Sequence, residues 1–594
     1  MIKQLTLLLT LILSFTLSAQ KESKEIEQFV SELDQKIPQL LNDFIVPGTA
    51  IAIIENGEII LQKGYGYSNI DKGIKVSNTT GFNIGSISKT IAAWGVMKLV
   101  QEGKIDLDAP AEKYLTRWHL PKSEFDSDKV TIRRLLSHTA GLSLHGYPGW
   151  SPKDDLPTIE ESLDGKNNGP GRVEIIMEPG TKWKYSGGGF SMLQLIIEEV
   201  TGQKFENYMQ AQILNPLGMT SSSYTIDEKI LKSSSLEHNN FGEVIDFELF
   251  TAQAAAGLHT TINDFTKFAL ASLYADKNNK QQILSASYLE QMMTPAPASN
   301  ESYGLGYQVE SIDGTSMTLA GHGGANTGWH AFLRVNPVTN DGFIMITNGG
   351  AGHNIYRQIY CDWIFWKTGE SMGNRCNILP SVASNLKQLV DDEGIDNIKS
   401  HYVELKKNEA NGYNFSEDQL NQLGYHYLGN DKVDYAAAIF KLNVELFPKS
   451  SNVYDSYGEA LLKLGDKEKA IENYKKSVEI NPANEGGISV LKELGINTDG
   501  LFKEVIIDEN ILQSYIGKYE LAPEFVITVS KDGSQMKAQA TGQGEFEIYP
   551  RSENVFYLKV VEAQVTFNIN EDGKVISMTL LQGGQETTGL KLKD

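Results

Sequence analysis

The feature that most restricts the fold of this 594-residue chain is an internal repeat in its second half. Four kinds of residue recur at a spacing of 34 positions, in the pairs Gly424 and Gly458, Ala436 and Ala470, Phe440 and Tyr474, and Pro448 and Pro482. In each copy the glycine lies within a first predicted helix, the alanine lies early in a second, and the proline follows it. This period predicts stacked helical hairpins, and the length of the chain leaves room for further domains.

The repeat resembles the tetratricopeptide repeat, with one unit at residues 417–450 and a second at residues 451–484. The resemblance implies a helical region over residues 385–495, in which the less regular segment 385–415 caps the two units. Such arrays present concave surfaces, so the region either binds a protein partner or serves only as a spacer. Two units are fewer than the three usually needed for independent stability, so we expect them to pack either on the domain that precedes them or on the domain that follows them.

The first half of the chain combines strand-like and helix-like periods. The predicted strands are Thr49–Ile54, Glu58–Tyr67, Ser316–Ala320, Trp329–Val335 and Gly342–Thr347. The predicted helices are Glu25–Phe44, Phe82–Glu102 and Asn354–Lys367. Asn56 and Gly57 form a turn signal between the first two strands. Strands at both ends with helices between them predict one α+β domain over residues 25–370.

The last part of the chain, residues 501–594, returns to short strands. The predicted strands are Phe525–Val529, Phe546–Tyr549, Val555–Val561, Val565–Ile569 and Val575–Leu581. Turn signals at Lys531-Asp532-Gly533 and Glu571-Asp572-Gly573 separate some of them. Several short strands without a helix predict a small all-β barrel or sandwich.

The chain starts with the pattern of a secretory signal peptide. Lys3 precedes the apolar run Leu5–Leu17, which ends at the small residues Ser18 and Ala19. A helix over this run spans only about 20 Å, which is short of a hydrocarbon core of about 30 Å. We therefore expect residues 1–19 to be cleaved and the mature protein to be periplasmic or extracellular, without a membrane span. A short membrane anchor is the alternative.

Charge, cysteine and histidine content exclude several classes of function. The chain has 53 basic and 75 acidic residues, and its net charge of −22 repels phosphate, so no nucleic-acid partner is expected. The only two cysteines, Cys361 and Cys376, cannot form a four-thiolate zinc site. They form either one disulfide or two unpaired buried thiols. No His-Glu-x-x-His pattern occurs among the 10 histidines, so we predict no catalytic metal.

The first candidate for chemistry is the tetrad Ser86-Ile87-Ser88-Lys89. Residues three apart share one face of a helix, so the Ser86 hydroxyl and the Lys89 amine can meet. A lysine can remove the serine proton when burial or a nearby positive charge keeps its amine neutral. A serine at a helix start also faces N–H groups that stabilise a developing oxyanion. Alone the pattern is weak, because a helix cap beside a solvated lysine is the better explanation of it.

Two further stretches supply the other groups that such a site needs. Tyr185 lies in a glycine-rich loop, where a phenol can relay a proton if cationic neighbours lower its pKa. The run His322-Gly323-Gly324-Ala325 lies at a predicted strand edge. Its glycines let a substrate approach the backbone, and the Ala325 N–H is then a second oxyanion donor.

These motifs resemble the serine β-lactamase and penicillin-binding-protein superfamily, specifically its class C β-lactamase-like branch (peptidase S12 type). That branch also contains D-alanyl-D-alanine carboxypeptidases, D-aminopeptidases and esterases. The resemblance covers about residues 30–370 and extends to the stretches Leu135–Leu142 and Tyr303–Tyr307. It implies a β-lactamase/transpeptidase-like domain, which is an antiparallel sheet with helices.

The resemblance also implies roles for individual residues. Ser86 would be the acylated nucleophile, and Lys89 would be its general base. Tyr185 would relay protons to the leaving group and from the deacylating water. The amides of Ser86 and Ala325 would form the oxyanion hole.

Two substitutions depart from the motifs of this branch. Gly187 stands where the family usually has an asparagine, whose amide would contact both the substrate and the lysine. His322 stands where many members have a lysine, and a histidine of ordinary pKa is mostly neutral at pH 7. Both changes favour an esterase or a D-amino-acid peptidase over an efficient β-lactamase.

We therefore predict an exported serine hydrolase without a cofactor, acting on esters, D-amino-acid peptides or β-lactam-like amides. Its substrate is a small molecule or a peptide, with peptidoglycan-derived peptides among the candidates. The alternative is a catalytically weak recognition protein that holds cell-wall fragments and recruits partners through its repeats. His138 and His259 are expected to be structural hydrogen-bonding residues rather than ligands.

Overall fold

The computed structural model describes residues 2–166, 171–273, 283–409, 412–498, 505–523, 525–570, 572–583 and 585–592. The chain divides into two units, Met1–Ile378 and Leu379–Asp594. Each unit contains extensive clusters of buried apolar residues. Each therefore has a hydrophobic core of its own.

The sheet of the first unit is built from strands at both ends of its sequence. The strands of this unit are β1 (Gly48–Glu55), β2 (Glu58–Asn69), β3 (Ile74–Lys75), β4 (Gly81–Asn83), β5 (His259–Thr261), β6 (Gln308–Ser311), β7 (Thr318–Ala325), β8 (His330–Asn336) and β9 (Asp341–Thr347). Within the described residues, seven of them form one antiparallel sheet in the order β3-β2-β1-β9-β8-β7-β6, and β4 pairs with β5. The first hairpin turns at Asn56 and Gly57, whose φ angles of 53° and 83° suit a two-residue turn. The pairing of β1 with β9 brings the early hairpin beside the late strands, which confirms the predicted α+β class.

Helices cover both faces of this sheet. They are α1 (Ile2–Asp43), α2 (Ile87–Gln101), α3 (Ile132–Leu136), α4 (Ile159–Leu163), α5 (Gly187–Thr201), α6 (Phe205–Met209), α7 (Glu228–Ser233), α8 (Gln253–Ala256), α9 (Ile262–Ser272), α10 (Ala286–Met293) and α11 (Gly352–Thr368). Ala50, Ala52 and Ile54 of β1 pack with α2, α5 and α9 in one hydrophobic cluster. Ile51 and Ile53 point to the other face and pack with α1 and α11. The alternation along β1 thus fills two cores at once.

The helix predicted over Glu25–Phe44 is part of the longer helix α1, which begins at Ile2 and ends at Asp43. Its side chains Phe29 and Leu33 are buried in the cluster that includes α11. Among the described residues, no helix combines the length and apolar content that crossing a membrane requires. The cleavage of residues 1–19 stays a prediction.

The helix predicted to start at Phe82 starts instead at Ile87. Phe82 and Asn83 belong to β4, where they pair with β5, and Gly85 has a φ of 51°. A residue in the left-handed region interrupts a helix, so α2 cannot extend back through Gly85. The turn that results exposes the start of α2 at Ser86.

Cys361 of α11 and Cys376 form a disulfide, which decides between the two alternatives that the sequence left open. The bridge closes a loop of 15 residues that leaves the end of α11. It thereby fixes the last segment of the first unit to its closing helix.

The second unit begins with paired helices. They are α12 (Val382–Glu393), α13 (Ile398–Glu409), α14 (Glu417–Gly429), α15 (Val433–Leu446), α16 (Ser451–Lys463), α17 (Lys467–Ile480), α18 (Glu485–Glu493) and α19 (Glu509–Tyr515). The two repeat units correspond to the hairpins α14–α15 and α16–α17. A β-carbon at Gly424 would lie 2.3 Å from the Phe440 ring, and one at Gly458 would lie 2.9 Å from the Tyr474 ring. Each repeated glycine therefore makes room for the repeated aromatic ring of the same hairpin.

The last strands of the chain form a closed antiparallel barrel. The sequence predicted a barrel or a sandwich, and the structure has the barrel. Its strands are β10 (Gly517–Ala522), β11 (Phe525–Asp532), β12 (Gln535–Ala540), β13 (Glu545–Pro550), β14 (Val555–Leu558), β15 (Ala563–Ile569), β16 (Val575–Gln582) and β17 (Gln585–Lys591). Strands β10, β12 and β17 were not predicted, and α19 contradicts the expectation of no helix. Leu512 and Tyr515 of α19 are buried in the barrel core, so the helix contributes side chains to its apolar interior. Leu501 and Glu571, at the predicted domain start and turn, lie outside the described residues.

Within this unit the repeats contact the barrel where the first one ends and the second one begins. The Ser451 and Asn452 N–H groups at the start of α16 donate to Glu562 at 2.8 and 3.1 Å. Lys449 forms an ion pair of 2.6 Å with Glu586. A carboxylate is favourable at a helix N-terminus, so these contacts attach the repeats to the barrel, one of the two neighbours that the sequence allowed.

We expect Gly424→Ala to lower the free energy of unfolding of the helical region by about 1–3 kcal/mol, because the new methyl group overlaps the Phe440 ring. Gly429→Ala is the matched control, since it lies at the end of the same helix and a β-carbon there meets nothing within 4 Å. That control should be neutral or stabilising by less than about 1 kcal/mol. Urea unfolding followed by far-UV circular dichroism measures both, and equal effects would contradict the close packing at Gly424.

Candidate active site

The site is centred on Ser86, which lies at the start of α2 after the left-handed turn at Gly85. Lys89 lies one helical turn further, and its Nζ donates a hydrogen bond of 3.2 Å to Ser86 Oγ. The Ser86 N–H donates no hydrogen bond to a backbone carbonyl of the described residues, as is usual at the start of a helix. The predicted meeting of the hydroxyl and the amine is therefore present in the structure.

The amine of Lys89 is enclosed by parts of the chain that are distant in sequence. The side chain is 2% exposed, and its Nζ also donates to the Ala255 carbonyl at 2.8 Å. The same Nζ lies 4.9 Å from the ring centre of Tyr185 and 5.9 Å from that of Phe190. Burial lowers the pKa of Lys89 to about 7, because an ammonium loses its hydration there without gaining a carboxylate partner. A large share of the amine is therefore neutral at neutral pH.

Tyr185 lies just before α5, with its ring against the Lys89 amine. Burial raises the pKa of Tyr185, and the nearby Ser86 hydroxyl acts in the opposite direction. The sequence argument required cationic neighbours to lower this pKa, whereas loss of hydration raises it. The Tyr185 hydroxyl is buried and makes no hydrogen bond of standard geometry within the described residues. It faces the serine as a neutral phenol.

The glycine-rich end of β7 forms the other wall beside Ser86. A β-carbon at Gly324 would lie 1.9 Å from the Ile84 carbonyl oxygen, and one at Gly85 would lie 2.6 Å from the Ala325 nitrogen. Only residues without side chains permit this approach, which brings the Ala325 amide next to the turn that holds Ser86. Gly323 continues the same stretch of β7, where it pairs with β8.

His322 lies in the same strand β7, and its side chain is buried. Its Nε2 lies 3.0 Å from the Tyr303 hydroxyl, and its ring centre lies 6.0 Å from that of Tyr185. Burial, with a smaller contribution from the Lys89 charge, lowers the pKa of His322 to about 3. The imidazole is therefore neutral, and the site has no cation at this position.

Known proteins resemble this chain over the part of it that forms the site. The family model described as Beta-lactamase matches residues 33–358. The chain belongs to the beta-lactamase family. A tetratricopeptide-repeat model matches residues 451–484, which confirms the second predicted repeat, and a domain of unknown function (DUF3471) matches residues 502–591.

Individual relatives of this beta-lactamase-family chain are distant. "Protein flp" of Staphylococcus aureus (strain MRSA252) is 27% identical over 331 residues, which is 53% of this chain and 62% of the relative. The "Putative penicillin-binding protein PbpX" of Bacillus subtilis (strain 168) is 29% identical over 298 residues, which is 49% of this chain and 69% of that protein. The match thus spans less than two thirds of the flp protein. The octameric penicillin-binding protein homologue from Pyrococcus abyssi aligns with a TM-score of 0.47 and 19% identity, covering 95% of this chain and 100% of that one.

The absence of the family asparagine at Gly187 has a local explanation in the structure. Gly187 begins α5, and its N–H donates to the His145 carbonyl at 3.0 Å. A β-carbon at Gly187 would lie 3.0 Å from that same carbonyl oxygen, so a side chain would require the His145 segment to move. The Ala255 carbonyl of α8 gives Lys89 a second acceptor on another side.

A residue that sequence reasoning did not select, Asn83, connects three parts of the site. Its Oδ1 accepts from the Gly85 N–H and from the Asn326 side chain, each at 2.7 Å. Its Nδ2 donates to the Ala256 carbonyl at 3.1 Å. Asn83 thus joins the turn before Ser86, the end of β7 and the helix α8 that binds Lys89. Its position three residues before the serine was the only signal in the sequence.

The two histidines expected to be structural behave differently. His138 Nδ1 accepts from the Ser186 N–H at 3.0 Å, and the His138 carbonyl accepts from the Lys184 N–H at 2.8 Å. His138 therefore holds the backbone on both sides of Tyr185. The ring of His259 makes no hydrogen bond, because neither ring nitrogen has a partner among the described residues, although its backbone pairs with Ser223. It stacks instead on Phe247, and burial lowers the pKa of His259 to about 3, which keeps it neutral.

In the parts of the chain that the structure describes, no group of three or more histidine, cysteine, aspartate or glutamate side chains is arranged to hold a metal ion.

We expect Asn83→Ala to lower the free energy of unfolding of the first unit by at least about 2 kcal/mol, because each buried group left unpaired costs about 1–3 kcal/mol. Asn42→Ala is the control, since Asn42 is exposed in α1, and it should change stability by less than about 0.5 kcal/mol. All seven tryptophans lie between Trp94 and Trp366, so urea unfolding followed by tryptophan fluorescence reports on this unit. A loss no larger than that of the control would disprove the role of Asn83.

Proposed function

We propose that the first unit is a serine hydrolase that forms an acyl-enzyme on Ser86. The observation that carries the proposal is the 3.2 Å hydrogen bond between Ser86 Oγ and Lys89 Nζ, together with the pKa of Lys89 near 7. A base titrating near the working pH is best suited to remove a proton from a nucleophile. Membership of the beta-lactamase family supports the same reaction class.

In the first half-reaction, Ser86 Oγ forms a bond to the substrate carbonyl carbon while its proton passes to the neutral Lys89 amine. The electron pair of the carbonyl bond moves to oxygen, where the amides of Ser86 and Ala325 stabilise the charge. The intermediate then collapses and the bond to the leaving group breaks. The leaving group takes its proton from Lys89, either directly or through the Tyr185 hydroxyl.

In the second half-reaction, a water molecule attacks the acyl-ester and gives its proton to the Lys89–Tyr185 pair. Collapse of this intermediate breaks the bond to Ser86 Oγ, releases a carboxylic acid and returns the proton to the serine. Because the pKa of Tyr185 is raised, its phenol relays protons without being ionised at rest. The resting base of the cycle is Lys89.

Esters are the substrates that these features support best, and D-amino-acid peptides come next only where no carboxylate lies beside the scissile bond. A substrate carboxylate near the scissile bond needs a cation, yet His322 is neutral and bonded to Tyr303. An amide substrate loses the contact that an asparagine at Gly187 would offer. β-Lactam-like amides are therefore expected to be poorer substrates.

We expect Ser86→Ala to lower kcat/KM for p-nitrophenyl esters by about 10³-fold or more, because loss of the nucleophile removes the acyl-enzyme route. Lys89→Met should cause a similar loss, whereas Lys98→Met on the same helix should leave the rate unchanged. A panel of p-nitrophenyl acetate, nitrocefin and D-alanyl peptides measures turnover. Activity in Ser86→Ala equal to that of the unaltered chain would refute the assignment.

The pH dependence tests the base separately. The Lys89 pKa is lowered from 10.5 to about 7, so the neutral amine is depleted as pH falls below about 7. We expect kcat/KM for an ester to fall about tenfold per pH unit below that point and to be level above it. Lys89→Arg should be inactive across the range, because a guanidinium stays protonated. A rate that is constant from pH 5 to pH 9 would be incompatible with Lys89 as the base.

The alternative function is recognition of a cell-wall fragment without efficient turnover, with the repeats recruiting a partner. Gly187 in place of the family asparagine and the two added modules favour it, because the glycine removes a contact to the substrate and the repeats can recruit a partner. A fluorophosphonate probe distinguishes the two, since only an activated Ser86 is labelled. Intact-mass analysis should show one adduct per chain that is absent from Ser86→Ala; no adduct would support the recognition function.

We also propose that the protein is exported through residues 1–19 and that its domains extend over residues 25–370, 385–495 and 501–594. The disulfide between Cys361 and Cys376 supports export, because such bonds persist in oxidising compartments. A periplasmic or extracellular location agrees with a substrate derived from the cell wall.

A further inference from the structure

The barrel of the second unit carries a cavity of about 800 Å³, a size suited to a small organic ligand. It lies over one end of strands β12, β13 and β14 and is bordered by the end of α17 and by the segment before α19. Its apolar lining includes Ile507, Leu512, Met536, Ile548 and Phe556. Its polar lining includes Tyr549, Arg551, Tyr557 and Lys559.

The two cations of this cavity are not neutralised by the protein. The Arg551 guanidinium donates 2.7 Å to the neutral amide of Gln564, and no described carboxylate lies within ion-pair distance of it. Burial lowers the pKa of Arg551, while the charge of Glu479 acts in the opposite direction. Glu479, which also borders the cavity, forms its ion pair of 3.0 Å with Lys476. Most of the donors of a half-buried guanidinium therefore remain available, which is unusual in a chain of net charge −22.

Lys559 is placed by an aromatic ring rather than by an acid. Its Nζ lies 3.7 Å from the ring centre of Tyr549, and it has no ion pair with a described residue. The neighbouring Glu547 carboxylate accepts from the Tyr549 hydroxyl. The Tyr557 ring lies 5.8 Å from that of Tyr549, so two rings and an ammonium form one side of the cavity.

We infer that this cavity binds a carboxylate attached to an apolar chain or ring, with Arg551 and Lys559 as its cationic groups. The planar guanidinium matches a carboxylate through paired hydrogen bonds. The apolar lining and the tyrosine rings then cover the body of the ligand. The ligand is either a free organic acid or the C-terminus of a peptide, and the two share this chemistry. The inference does not depend on the proposed hydrolase activity.

Isothermal titration of the full chain carrying Ser86→Ala, which prevents turnover of peptide probes, tests the inference. The probes are 4-phenylbutyrate against 4-phenylbutanol, and N-acetyl-Ala-Ala-Phe against its C-terminal amide. We expect at least one carboxylate to bind at least tenfold more tightly than its neutral counterpart. Preference for phenylbutyrate alone would indicate a free acid, preference for the peptide alone would indicate a peptide C-terminus, and both results support the site.

Substitutions locate the binding. Arg551→Gln should abolish the preference for the carboxylate, and Lys559→Gln should reduce it severalfold. Lys574→Gln, at an exposed barrel turn outside the cavity, should leave it unchanged. Lys559 is exposed, so its substitution tests the site even if Arg551→Gln unfolds the barrel. Equal binding of charged and neutral probes, absence of binding, or insensitivity to both substitutions would overturn the inference.

Discussion

The catalytic proposal depends on one buried amine. Lys89 Nζ has two hydrogen-bond acceptors, Ser86 Oγ at 3.2 Å and the Ala255 carbonyl at 2.8 Å, and neither of them is charged. An ammonium in such surroundings loses hydration without compensation, so its neutral form becomes accessible at ordinary pH. A carboxylate in place of either acceptor would keep the amine protonated and unable to act as a base. The neutral character of its surroundings is thus as important as the lysine itself.

Close approach of backbones gives this amine its neighbours. Gly85 and Gly324 allow the turn before α2 to contact the end of β7 at distances that a β-carbon would prevent. Asn83 then connects that contact to α8, the helix that supplies the Ala255 carbonyl. His138 performs the corresponding task for Tyr185 by binding the peptide groups on both sides of it. Asn83 and His138 act by positioning the backbone and not through reactive groups. This explains why the sequence motifs did not identify Asn83 and assigned His138 only a structural role.

Most of the architecture could be predicted from the sequence where a hydrophobic pattern repeats over many residues and where asparagine or glycine marks a turn. The hairpin around Asn56 and Gly57, the late strands and the 34-residue repeat all have strong local signals. The prediction from the sequence placed the start of α2 five residues early, because the pairing of Phe82 with β5 is a long-range contact that local pattern does not contain. It also missed α19, whose two buried residues are meaningful only once a barrel interior exists to receive them.

The sequence by itself determined which chemical groups the site contains, because Ser86, Lys89 and Tyr185 stand in recognisable order and context. It also indicated that a helical repeat array lies between a region of mixed helices and strands and a region of short strands. Only the tertiary structure decided the state of those groups. The pKa of Lys89, the neutral form of His322 and the pairing of Cys361 with Cys376 depend on neighbours that folding brings from distant positions. Hydration and distance set ionisation and bonding, and neither quantity is defined until the chain is folded.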